Sequence, residues 1–203
     1  MKIIKERKNI DINTVFTENK YYFIALIFYL AGIFTGTLIY KNLDSNKIEI
    51  ATNSIIQNSY DDFLHLFLTN SLIYTLLLTI TLFIGMSLIG YLLINFIPLL
   101  YGFEIAVRLC YYYTTYNNKG IGYSLLLIIP QTTLIVTILL LSTKPIGELS
   151  KNLLEIVLKN EEFSEEINIG LFCKKTIIIY IIMIIASAIN SLLLYFLNSL
   201  ITL

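Results

Sequence analysis

Five long apolar stretches dominate this sequence, and they constrain its fold more than any motif does. A helix needs roughly 20 predominantly apolar residues to cross the hydrocarbon core of a bilayer. Backbone groups cannot bond to water there, and the stretches lack the alternation of β-strands, so each favours a helix. The predicted spans lie near residues 21–39, 71–90, 95–113, 123–143 and 176–199. We therefore predict an all-α, polytopic membrane helix bundle with about five transmembrane helices.

The composition agrees with a membrane location. Hydrophobic residues make up 57% of the 203 residues and charged residues 14%, and the mean hydropathy is +0.76. The longest pieces between spans, residues 41–70 and 144–175, are too short to bury a soluble core. Residues 1–203 are therefore predicted to form a single membrane domain. A formal net charge of zero, with no dense basic stripe, argues against a nucleic-acid partner.

Lysine and arginine predict the orientation of the bundle, because they are enriched in cytoplasmic segments near span ends. Residues 1–20 and 144–175 are the two lysine-rich pieces, and five crossings place both on one side of the membrane. This predicts a cytoplasmic N-terminus, an outer segment 41–70 and a C-terminus outside. The abundance of Ile, Asn, Lys and Tyr is typical of an AT-rich bacterial genome, so the expected location is a bacterial cell membrane. The first span is expected to be an uncleaved signal anchor.

The boundary between the second and third spans is not obvious. Residues 71–116 carry no charge before Glu104 and would form a helix of about 69 Å, twice what one crossing needs. Pro98 disfavours a helical conformation at Ile97. The sequence predicts a tight cytoplasmic turn at residues 90–95, with a re-entrant arrangement as the alternative.

Four polar side chains fall inside predicted spans: Glu104, Arg108, Gln131 and Asn190. Ionisable groups in a membrane are costly and by default indicate a functional site. Glu104 and Arg108 share a helix face and can form an ion pair, which is a sufficient structural reason for both. Gln131 follows Pro130, which kinks a helix, and each amide needs a partner in the lipid. They could line a pathway, but we expect them to tie neighbouring helices together.

The sequence predicts no enzyme. The Glu-x-x-x-Arg spacing at residues 104–108 resembles part of the signature of intramembrane CAAX-type proteases, but the further Glu and His residues are missing from the spans. The single histidine, His65, follows Asp61 and Asp62, which is too little for a catalytic or metal site. Cys110 and Cys173 are expected to be free thiols, with Cys110 buried. We predict no catalytic residue, cofactor or metal site.

Two segments outside the spans are predicted to form amphipathic helices. Residues 61–68 favour an outer helix that lies on the membrane. Residues 144–166 show apolar side chains at helical spacing with charges between them, and this segment either lies on the bundle or docks a cytoplasmic partner. Gly32 and Gly36 allow close helix approach. Tyrosines near span ends, among them Tyr111, Tyr112 and Tyr123, are expected to form an interfacial belt.

Four short motifs follow one another along the chain: FIGMSLIG at residues 83–90, LYGFEI at 100–105, KGIG at 119–122 and LIIPQ at 127–131. A predicted cytoplasmic helix that carries Ser150 comes next. This ordered set resembles the stage II sporulation protein M family of bacterial membrane proteins, over most of the chain from about residue 21 onwards. Glu104 and Arg108 depart from the small and apolar residues expected after Gly102.

The resemblance implies a multi-pass scaffold without a catalytic site. Such a protein acts with the cell-wall-degrading stage II sporulation proteins D and P at the septal membrane during engulfment in spore formation. Other members of the broader family occur beside ATP-driven exporters and in circular bacteriocin production. The alternative is therefore a membrane subunit of a peptide or bacteriocin export or immunity system. It would need a separate ABC ATPase near residues 144–175, because the chain has no phosphate-binding loop.

Overall fold

Helices form nearly all of the structure. The computed structural model describes residues 19–42, 63–159 and 169–198. A π-helical turn, Ser124–Ile128, connects two of the helices. The six helices are α1 (Lys20–Asn42), α2 (Phe63–Gly85), α3 (Gly90–Leu93), α4 (Phe96–Tyr123), α5 (Ile129–Lys159) and α6 (Ile169–Asn198).

Within the described residues, four helical runs are long and apolar enough to cross a membrane: Lys20–Asn42, Phe63–Gly85, Gly90–Leu158 and Gly170–Phe196. The third run is 69 residues long and contains two of the five predicted spans. Large apolar side chains face outwards, for example Leu72, which is 68% exposed, and Phe83, which is 71% exposed. Helices of this length and surface are those of a multi-pass membrane protein.

The second long helix begins earlier than predicted. Residues 63–70 form the first part of α2. The prediction of a separate surface helix over residues 61–68 is therefore wrong for residues 63–68. Leu66 is buried on the same side of α2 as Tyr74 and Leu78, and this packing extends the helix by two turns. Residues 43–62, including Asp61 and Asp62, lie outside the described residues.

The predicted turn at residues 90–95 is a double break in the helix. The first break covers residues 86–89 and the second covers Ile94 and Asn95, and the short helix α3 lies between them. Ser150 of α5 holds the first break: its hydroxyl donates to the Ser87 carbonyl at 2.7 Å and accepts from the Tyr91 N–H at 2.8 Å. Side-chain bonds of this kind satisfy backbone groups that a broken helix leaves free.

The chain reverses a second time within α4. Asn117 has φ of 47° and ψ of −125°, a conformation outside the helical region. The rings of Tyr112 and Tyr123 are stacked with centroids 4.7 Å apart. Eleven residues of straight helix would separate them by about 16 Å. Residues 96–116 and 118–123 therefore lie on opposite arms of a hairpin.

Close glycine contacts join α1 and α4 side by side. A Cβ on Gly32 would lie 2.1 Å from the Leu99 carbonyl oxygen, and one on Gly36 would lie 2.7 Å from that of Phe103. Nearer the start of α1, the Phe28 ring contacts Phe96 with centroids 5.7 Å apart. The contacts advance together along both helices, so α1 and α4 are parallel. The small-residue pattern serves packing within the chain.

Helix α5 lies at the centre of the bundle and packs against each of the other described helices. Helices α2 and α6 form an antiparallel pair: Phe63 contacts Tyr195, and the Thr79 and Tyr180 hydroxyls are hydrogen-bonded at 2.8 Å. Because lipid is as apolar as leucine, such packing and hydrogen bonds, rather than water exclusion, hold helices together in a membrane.

The bundle has two chemically different ends. At the lysine-rich end, the Lys144 ammonium lies 5.9 Å from the Tyr22 ring centroid and the 86–89 break contacts Ser150. At the tyrosine-rich end, Tyr40 hydrogen-bonds Thr114. A cluster of buried side chains stands beside it and consists of Tyr111, Tyr112, Tyr123, Leu127 and Ile128.

Candidate functional site

The interior of the bundle contains a polar centre built around the hydroxyl of Tyr74. The Gln131 side-chain amide donates a hydrogen bond to this oxygen, and the Asn190 amide donates another at 3.0 Å. All three side chains are buried. The oxygen therefore joins α2, α5 and α6, and two of the four predicted intramembrane residues meet at one atom.

This centre lies near the middle of the helices that form it. Tyr74 is eleven residues from each end of α2, about 16 Å by helical rise. Sequence reasoning missed Tyr74, because the prediction considered only charged and amide side chains within spans. The available signal was a tyrosine in the middle of a 23-residue apolar helix, since a buried phenol usually finds a hydrogen-bond partner.

Glu104 and Arg108 form the predicted ion pair on α4. An Arg108 Nη2 hydrogen bond reaches Glu104 Oε1, and the two residues are one turn apart. The Arg108 side chain is 20% exposed and that of Glu104 is 41% exposed. The arginine thus faces the protein interior more than its partner does.

Among the described residues, the hydrogen bonds of the four predicted intramembrane side chains fall into two groups. Glu104 and Arg108 bond to each other, whereas Gln131 and Asn190 both bond to the hydroxyl of Tyr74.

The amide of Asn190 is only half satisfied. Its Oδ1 atom is buried and has no hydrogen-bond partner among the described residues, and the same holds for the hydroxyl of Ser187 one turn earlier on α6. An unpaired buried polar atom is costly, and water commonly occupies such positions.

Pro130 lies at the junction of the π-helical turn and α5, the position at which the sequence predicts a kink. The π-helical turn Ser124–Ile128 precedes it, and the Ile129 N–H bonds back to the Ser124 carbonyl. A π-turn changes which carbonyls receive bonds and so accommodates a residue without an N–H. Gln131 follows and points to Tyr74.

The remaining predicted positions do not form a second site. His65 is exposed on α2, and in residues 19–42, 63–159 and 169–198 no three His, Cys, Asp or Glu side chains cluster as metal ligands. Cys173 is exposed, and Cys110 is partly exposed rather than buried as predicted, because it lies beside the α4 face that packs inward.

The expected interfacial tyrosine belt is wrong for three of its members. Tyr111, Tyr112 and Tyr123 are buried, because the chain reversal at Asn117 stacks them against one another. They form part of the core at the tyrosine-rich end.

The cytoplasmic amphipathic helix predicted over residues 144–166 is, up to Lys159, the direct continuation of α5. Lys151 and Glu155, one turn apart on this helix, form an ion pair with 3.2 Å between Nζ and Oε1. Ile146 and Ser150 are buried against the bundle, whereas Leu158 is 73% exposed. Residues 160–168 lie outside the described part of the chain.

Three comparisons give no relative for this arrangement: no protein-family model, no curated protein and no solved structure matches the chain.

Proposed function

We propose that this chain is a non-enzymatic membrane scaffold that recruits peptidoglycan-degrading partners, as its resemblance to the stage II sporulation protein M family implies. One observation carries the proposal. The interior polar groups bond to one another across helices, with Gln131 and Asn190 both on the Tyr74 hydroxyl. A polar centre used in this way fixes the relative positions of helices, which is what a scaffold requires.

The motif glycines support the same role. Gly85 faces Ile146, Gly90 faces the Ile84 carbonyl and Gly102 faces the Tyr29 carbonyl, all closer than a Cβ atom tolerates. The residues that carry the resemblance thus occupy helix contacts and turns. These glycines serve helix packing, as expected for a protein that positions other proteins.

The proposed topology has five crossings with the N-terminus in the cytoplasm. The chain reversals at residues 86–95 and at Asn117 support α1, α2, α4, α5 and α6 as the crossing helices. The lysine-rich end carries Lys20, Lys144 and Lys151, whereas Lys41 and Lys119 are at the other end. Cytoplasmic enrichment of lysine supports placing the lysine-rich end inside.

Cysteine labelling tests this topology. In a background with Cys110→Ser and Cys173→Ser, Asn118→Cys should react with a membrane-impermeant maleimide on intact cells, because Asn118 is exposed at the tyrosine-rich end. The matched Cys110→Ser protein, which keeps Cys173, should react only after the cells are opened. The reverse pattern would contradict the orientation, and labelling of both from outside would contradict the crossing by α5.

Site-specific photo-crosslinking tests the partner. A photoreactive phenylalanine analogue at Tyr113, which is exposed at the tyrosine-rich end, should capture a cell-wall hydrolase that mass spectrometry identifies. The same analogue at Leu72, on the outward face of α2, serves as the lipid-facing control.

The export alternative predicts that the partner binds at the lysine-rich end instead. An analogue at Leu158, beyond the lysine-rich end, should then capture an ABC ATPase. That result, or capture of no hydrolase at Tyr113, would refute the scaffold proposal.

A further inference from the structure

We propose that the Glu104 carboxylate is the docking point for a transmembrane helix of a partner protein that carries a lysine or arginine at mid-membrane depth. This inference rests on the proposed crossing of α4, and it names the kind of partner that the scaffold holds within the bilayer. It begins from the unequal exposure of the two members of the ion pair.

Glu104 lies deep within α4 and is nevertheless open to the outside of the bundle. It is eight residues from the start of the helix at Phe96, about 12 Å along the axis. Its side chain is 41% exposed, twice the fraction of Arg108. Among the described residues, Arg108 alone hydrogen-bonds this carboxylate, and it does so at one of the two oxygens.

The face of α4 that carries Leu100 and Glu104 is open to the outside of the described bundle. Leu100 lies one turn before Glu104 and is 59% exposed. On the other side of α4, Gly102 and Ala106 contact α1. A partner helix can therefore lie against Leu100 and Glu104, on the side of Phe96 that does not contact Phe28 of α1.

Charge complementarity indicates which kind of helix binds at the Glu104 face of α4. Lipid tails offer no hydrogen-bond donor to a carboxylate, and intramembrane ionisable groups pair with one another or with polar groups of protein. A second copy of this chain in a symmetric dimer would bring the same negative charge to the site. Arg108 bonds only one oxygen of the carboxylate. A cationic side chain from another helix can donate the hydrogen bond that the second carboxylate oxygen of Glu104 lacks.

A defined peptide tests the proposal without the native partner. The probe is a leucine-rich transmembrane peptide of about 22 residues with a single central lysine. The matched probe has leucine at that position. The full-length protein and each peptide carry a fluorescent donor and acceptor, and energy transfer is measured in phosphatidylcholine vesicles. Wild-type protein should bind the lysine peptide about tenfold more tightly than the leucine peptide, a difference of about 1.4 kcal/mol.

Two variants assign the effect to the carboxylate. Glu104→Gln keeps the size of the side chain and an acceptor for Arg108, and it should abolish the preference for lysine. Glu104→Asp keeps the charge and should retain a preference. Thermal unfolding of each variant confirms that the bundle is intact.

Three results would overturn the inference. They are equal binding of the two peptides, an unchanged preference in Glu104→Gln, and Glu104-dependent energy transfer between labelled copies of the protein itself, which would assign the site to a second copy. Photo-crosslinking at Tyr113 tests the proposed scaffold function in cells and on the opposite face of α4. If either this experiment or the peptide-binding experiment fails, the result of the other can still be interpreted.

Discussion

The hydroxyl of Tyr74 should be worth more to stability than any other single polar atom in the bundle. Tyr74→Phe removes it and changes little else. The amides of Gln131 and Asn190 then lose a shared acceptor inside a buried site. Hydrogen bonds between membrane helices average about 0.6 kcal/mol each and reach about 1.7. Two of them set the expected loss in the free energy of unfolding at about 1 to 3 kcal/mol.

Tyr180→Phe provides the matched control. Its hydroxyl is bonded to Thr79, but the Thr79 proton is already donated to the Thr75 carbonyl at 2.7 Å. Removing the Tyr180 hydroxyl therefore strands no donor, and the expected loss is about 0.6 kcal/mol.

Unfolding by titration with a denaturing detergent in mixed micelles measures both variants against the wild type. Equal losses for Tyr74→Phe and Tyr180→Phe would refute the reasoning, because they would show that the two stranded amides find other partners.

The remaining predictions concern packing and turns. Gly32→Ala should lower the free energy of unfolding by about 1–3 kcal/mol in the same titration, because the new methyl group meets the Leu99 carbonyl oxygen at 2.1 Å. Gly122→Ala, where nothing lies within 4 Å, should instead raise it by about 0.5–1 kcal/mol; a loss comparable to that of Gly32→Ala would contradict the packing argument. Ser150→Ala removes both bonds to the 86–91 turn and should cost about 1–2 kcal/mol, with faster hydrogen exchange confined to that turn; unchanged exchange would rule out the anchoring role. Asn117→Gly should gain about 1 kcal/mol, because only glycine adopts a φ of 47° with this ψ without strain, and a loss would show that the asparagine side chain stabilises the reversal.

The helical class of the protein was predictable because it depends on the length and apolar character of contiguous stretches of the sequence. Each predicted span overlaps a helix of the structure, since long apolar stretches have few alternatives in lipid. The ion pair of Glu104 and Arg108 was predictable for a similar reason: it joins residues one turn apart on one helix. Both depend on local spacing.

The features that join distant parts of the chain were not predictable. The position of Tyr74 in an apolar stretch indicates a buried phenol, but its partners Gln131 and Asn190 are 57 and 116 residues away in sequence. The start of α2 at Phe63 depends on the burial of Leu66. Likewise, the burial of Tyr112 follows from the reversal at Asn117, a residue whose unusual backbone conformation no local pattern indicates.

The parallel packing of α1 on α4 has a consequence for biosynthesis. On the proposed topology, the ribosome delivers α1 to the bilayer first, then α2, and only afterwards the helix whose carbonyls fill the grooves at Gly32 and Gly36. Until α4 is inserted, lipid rather than protein contacts the surface of α1 at Gly32 and Gly36. Insertion and assembly are therefore separate stages for this chain, as in the two-stage view of membrane protein folding. A chain that ends before α4 would therefore lack the helix against which α1 packs.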